Sequence, residues 1–177
     1  IRIEDAFTNA PSVPQFNKEW LKQIIPGEAD KPLSLDNMSF FEAWDTFIHS
    51  KKVSDARKKM YIVVRNMLHR YEQVRRMTDD RFALSLNDFS TLLLADFESF
   101  LWKEEKYAKL YPEIYKGVRI NDTTGGVRRG QNTISCRLKV FRTFFYWAID
   151  NNLATSSPFK KYKIKPAKKS KNVAVIG

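Results

Sequence analysis

The chain has 177 residues, of which 43% are apolar and 14% aromatic, and a formal net charge of +11. A chain of this length buries roughly 70% of its unfolded surface, and this apolar content excludes disorder throughout, so one folded domain with at most an appendage is expected. A single cysteine, Cys136, excludes an internal disulfide framework and a Cys-based metal cluster and points to a reducing compartment, the cytoplasm.

Residues 1–35 read as a connecting segment, in which Pro11, Pro14, Pro26, Gly27 and Pro32 bracket one short helical candidate, Gln15 to Ile25. The opening Ile1-Arg2-Ile3-Glu4 has no initiator Met and no signal-peptide pattern, so a piece of a longer protein is expected. At Ser39-Phe-Phe-Glu42 a capping-box signature predicts a helix over 39–50, with Phe40, Trp44, Phe47 and Ile48 at helical spacing. A second helix, Ser54-Asp55 to about Arg76, is expected to bury Ala56, Met60, Val63, Val64, Met67, Tyr71 and Val74 and to turn Lys58, Arg65, His69 and Arg76 outward. A turn at Thr78-Asp79-Asp80 leads into a short extended piece, Phe82 to Leu86, that docks on the core. A third helix, about Ser90 to Glu104, points Leu93, Leu94, Phe97, Phe100 and Leu101 inward. The stretch from Glu105 to Gly130 is too long for a structureless connection, so it is expected to be part helix, Tyr107 to Tyr115, and part functional loop.

The fourth helix gives the clearest pattern. From Asn132 as the expected N-cap, Ile134, Leu138, Phe141, Phe145, Ala148 and Ile149 recur at three and four residues, and Val140, Phe144 and Trp147 widen the apolar face. At ~100° per residue, Ser135, Lys139, Arg142 and Tyr146 share one narrow polar stripe. The helix is expected to end at Asn151-Asn152, with Pro158 beyond it. From Lys160 to Lys171 there are seven Lys and no acid, which reads as a flexible cationic linker. The expected organisation is a connecting segment at 1–35, a helical domain at 36–160 and a Lys-rich linker at 161–177.

The positive charge is segregated. Residues 1–122 carry nineteen basic and nineteen acidic side chains, whereas 123–171 carry twelve basic side chains and the single acid Asp150. Within the neutral part, residues 51–76 hold nine basic groups against Asp55 and Glu72. Such segregation suits a polyanion, because each phosphate neutralised releases condensed counterions. A solvated basic surface is the other reading of the same charge. No amphipathic stretch pairs a basic face with a free apolar one, and the longest apolar runs are too short to span a bilayer, so no membrane partner is expected.

Catalytic or metal chemistry finds little material. His49 and His69 stand on different helices without ligand spacing around either, and Asp79-Asp80 reads as a solvated turn. Gly125-Gly-Val-Arg-Arg-Gly130 lacks the ending of a phosphate-binding P-loop and follows no strand. It is either a flexible loop or a phosphate contact through Arg128 and Arg129. Cys136 lacks an activating base and reads as a packing residue. No cofactor, metal or small-molecule substrate is expected.

From Arg129-Gly-Gln-Asn-Thr-Ile134 through Arg137-Leu138, Phe141-Arg142 and Phe144-Phe-Tyr-Trp-Ala-Ile149 to Pro158-Phe159, the chain resembles the last helices of the core-binding domain of tyrosine recombinases, the phage and conjugative-element integrases. Phe40-Phe-Glu-Ala-Trp44 is similar to that family's first helix, Lys58 to Tyr71 to its second and Phe89 to Leu101 to its third, so the match covers about 38–165. Ser157 and Asn152 depart from the Asn and Gly common there. The resemblance implies an all-α, SAM-like bundle of four to five helices with a basic C-terminal linker, forming half of a clamp on duplex DNA. The other half, a catalytic domain with Arg, Lys, His and a nucleophilic Tyr, has no match here, so this chain is expected to be non-catalytic. The implied partners are a recombination site and other recombinase protomers, and the implied setting is a bacterial nucleoid.

On that reading the second and fourth helices face DNA, joined by the Arg128-Arg129 loop. Asn132 and Thr133, with the amides of the fourth helix's N-terminus, suit phosphate oxygens. Lys58, Lys59, Arg65, Lys139 and Arg142 supply charge along the groove, and Gln131 and Ser135 are candidates for reading base edges. Lys160, Lys161 and Lys163 open a tail that tracks the backbone. Two other classes stay open: a helical protein-interaction module and a small self-sufficient enzyme.

Overall fold

The computed structural model describes residues 38–118 and 129–166. The expected connecting segment 1–35, Arg128 and the tail beyond Pro166 lie outside the described residues. Among the described residues there are four α-helices and no strand: α1 (Phe40–Ser50), α2 (Asp55–Arg76), α3 (Thr91–Leu110) and α4 (Gln131–Asp150), with 3-10 turns at Pro112–Tyr115 and Pro158–Lys160.

Local chemistry sets the helix ends. Ser39 is extended, its hydroxyl accepts from the Glu42 amide at 3.3 Å, and the Glu42 carboxylate accepts from the Ser39 amide at 2.8 Å, so both halves of the capping box form. At α3 the Ser90 hydroxyl accepts from the Leu93 amide at 3.2 Å. Beyond α4, Asn152 enters the left-handed region at φ 58°, which lets the Leu153 amide donate back to the Ala148 carbonyl at 2.8 Å.

The four helices close on one aromatic core with α4 at its centre. Trp44 of α1 stacks on Phe144 at 4.2 Å between ring centroids. Phe141 meets Phe89 at 5.0 Å, Phe97 of α3 at 5.7 Å and Phe159 at 5.6 Å, all edge to face. Offset and edge-on geometries of this kind add to the area the rings bury. The connection after α2 docks as expected, with Leu84, Leu86 and Phe89 buried.

Three expectations are corrected. On α2 the buried set is Tyr61, Val64, Met67, Leu68, Tyr71, Glu72 and Val74, while Ala56 and Val63 are exposed and Met60 is half-buried. The ring contact between Tyr61 and Phe47, 4.8 Å between centroids, turns the inward face by about one position. The third helix continues beyond Glu104 to Leu110, and Glu104 itself points into the protein and is neutralised there. The N-cap of α4 is Gly130, whose carbonyl accepts from the Ile134 amide at 3.2 Å; Asn132 is the helix's second residue.

Candidate functional site

Ion pairing divides the basic residues into two groups. Along the C-terminal part of α2, arginines are matched by carboxylates from three helices. Arg65 pairs with Asp45 of α1 at 2.7 Å and lies over the Phe41 ring, Arg75 pairs with Asp96 of α3 at 3.0 Å, and Arg76 pairs with Glu72 one turn back. Arg70 reaches Glu104 at 2.8 Å. Glu104 has no exposed surface and is also gripped by Arg129, whose side chain is only 9% exposed. Burial pulls the Arg129 guanidinium below the usual arginine value, an effect that Glu104 opposes. Burial first and Glu104 second push the Tyr115 hydroxyl above the usual tyrosine value, with Arg70 over its ring at 5.6 Å.

Arg129 is therefore turned inward, against a carboxylate 25 residues away. Arg65 is likewise engaged within the fold. Ser135 sits on the expected stripe of α4 but is 1% exposed: its hydroxyl donates to the Lys165 carbonyl at 2.7 Å and accepts from the Gln131 amide nitrogen at 3.0 Å. A hydroxyl so enclosed has no open edge to offer a base, which corrects its candidacy as a reader. Gln131 is half-buried and bonded along the helix.

The second group forms no ion pair among the described residues. It includes Arg57, half-buried Lys58, and Lys59 at the start of α2, then Arg137, Lys139 and Arg142 of α4, and Lys160, Lys161, Lys163 and Lys165 beyond it, besides Lys51, Lys52, Arg81, Lys103, Lys106 and Lys116 elsewhere. Two contacts bring parts of it together. The Met60 sulfur, one helical turn from Arg57, lies 3.9 Å from the Cys136 sulfur and touches the Arg137 guanidinium. Lys165 is held at Ser135, one helical turn from Lys139. Asn132 and Thr133 are exposed in the first turn of α4, where amides and dipole favour anions.

Sequence reasoning missed Arg57 and Arg137 and named Lys165 only within the tail. The signal for Arg137 was weak, because it lies off the stripe, and only the seam with Met60 places it against the start of α2. Residues 160–166 also differ from a flexible linker. Tyr162 and Ile164 pack against the core while Lys161, Lys163 and Lys165 stay exposed, an alternation that lays the segment on the bundle.

His49 and His69 are exposed, and no group of three or more metal-ligating side chains occurs among the described residues. No helix among them is long and apolar enough to cross a membrane. No family model, curated protein or solved structure matches this chain.

Proposed function

We propose that this chain is a DNA-binding core-binding domain of the SAM-like type from a site-specific tyrosine recombinase, holding duplex DNA while a separate domain performs strand transfer. The observation that carries this reading is the set of cations without an ion pair among the described residues on the start of α2, on α4 and on the segment after Pro158, elements joined by the Met60–Cys136 and Ser135–Lys165 contacts. Each such cation set on a phosphate adds affinity by counterion release, whereas the inward arginines already have partners. The contact set is then Lys58, Lys59, Lys139, Arg142, Lys160, Lys161 and Lys163, with Asn132 and Thr133 at the helix terminus and Arg57, Arg137 and Lys165 added. The resemblance of the helix order from Phe40 to Phe159 supports the family reading, and an all-α bundle of four helices is compatible with it.

The test is fluorescence anisotropy of a labelled duplex titrated with the chain over a salt series. The reading expects log K to fall with log salt by about 0.9 per phosphate contacted, with several contacts and Kd on the order of 10⁻⁴ to 10⁻⁶ M or tighter. No binding at low salt overturns it. A second reading, a protein-interaction module, is favoured by one face of α3, where Leu92 is 83%, Leu110 64% and Trp102 42% exposed. A stable oligomer in sedimentation, lost on Trp102→Lys and unaffected by DNA, would support it.

A further inference from the structure

We propose that residues 158–165 are a pre-shaped cationic strap that lies along the sugar-phosphate backbone of a nucleic acid, with Ser135 and Tyr162 as the positioning residues that fix its course; this rests on the nucleic-acid reading above. The segment is anchored along its length by α3, α4 and the core. At its start Phe159 packs edge-on against Phe141 and Phe145, and the Thr91 hydroxyl donates to the Pro158 carbonyl at 3.3 Å. In the middle the Tyr162 hydroxyl donates to the buried carboxylate of Glu98, which also accepts from the Trp102 indole at 3.4 Å. At its end the Ser135 hydroxyl, itself bonded by Gln131, donates to the Lys165 carbonyl at 2.7 Å.

Between these anchors the side chains alternate. Tyr162 and Ile164 face the core; Lys161, Lys163 and Lys165 face solvent. Lys161 closes the 3-10 turn at φ −108° and ψ −5°, and from there the exposed lysines recur at every second residue. No acid lies between Lys160 and Lys165, and none of these lysines is ion-paired among the described residues. The strap ends beside α4 one turn from Lys139, so its row of charge runs into that of the helix. A flexible tail with the same lysines would have to be ordered on binding; here the fold has ordered it beforehand. The anchors matter to binding through geometry, and the lysines matter through charge.

That division sets the experiment, made on the whole chain with a labelled duplex over a salt series. The triple variant Lys161→Gln, Lys163→Gln, Lys165→Gln is expected to lower the salt slope by about 2.7 and the affinity near 0.1 M salt by on the order of 10²-fold. The double variant Ser135→Ala, Tyr162→Phe is expected to keep the slope, lose about two- to tenfold in affinity, and become more readily cut by trypsin after Lys161 and Lys163 without DNA present. Wild-type binding with an unchanged slope in the triple variant overturns the strap and leaves the nucleic-acid reading standing. Unchanged affinity in the double variant, or a slope that falls with it, overturns the positioning role. Absence of wild-type binding overturns both readings, and equal affinity for polyglutamate assigns the strap to an acidic protein instead of nucleic acid.

Discussion

The two ends of α2 carry the same kind of side chain and meet opposite electrostatic fates. From Arg65 onward, Arg65, Arg70, Arg75 and Arg76 each face a carboxylate, and those partners come from α1, α2 and α3. At the other end Arg57, Lys58 and Lys59 meet none among the described residues. The nine basic groups of residues 51–76 thus overstate the charge this helix offers to a partner. One end uses its cations to join helices, and the other leaves them without a carboxylate among the described residues.

The sharpest way to test that comparison begins with the scaffold both ends share. Phe141→Ala removes a fully buried ring at the centre of the core and is expected to cost roughly 3–5 kcal/mol in urea unfolding, whatever the salt. Glu104→Gln attacks the paired end: it leaves Arg70 and the inward-turned Arg129 short of a counter-charge and is expected to cost about 3 kcal/mol. A loss under about 1 kcal/mol there would mean that the two guanidiniums find solvent or other partners easily.

Smaller effects follow at the surface. Ser39→Ala removes the cap of α1 and should lower stability by about 1 kcal/mol. The same cap gives a pH signature. Its side-chain and backbone hydrogen bonds with Ser39 lower the Glu42 pKa from 4.5, so the stability it adds is present above that value and is lost as the pH falls through the lower, folded-state value. The difference in melting temperature between wild type and Ser39→Ala should therefore narrow in acid.

At the end of α2 without ion pairs among the described residues, a small change in stability is expected to accompany a large change in binding. Lys58→Gln with Lys59→Gln should shift unfolding by less than about 0.5 kcal/mol and reduce the salt slope for duplex DNA by about 1.8. Arg75→Gln, at the paired end, should lose up to about 1 kcal/mol of stability and keep the slope. Equal slopes for the two variants would erase the distinction between the ends.

Much of the fold was legible because its signals are local. The capping box at Ser39, the apolar repeat of α4 and the Asn151-Asn152 stop all depend on residues within a few positions, and each formed as read. What sequence could not show depends on distant partners. Glu104 looks like the polar end of a helix until Arg70, 34 residues earlier, and Arg129, 25 residues later, close on it. Ser135 looks like an outward member of a polar stripe until the chain returns 30 residues later to cover it. The burial of Tyr61 in place of Val63 came from the same source, since the Phe47 ring that selects it belongs to α1.

The seam between α2 and α4 also holds the molecule's one thiol. Cys136 is half-buried with its sulfur against Met60, so a thiol reagent is expected to reach it faster when those two helices part. With no second cysteine to react, the labelling rate of the unaltered chain reports on that one seam, and a ligand bridging the two helices is expected to slow it.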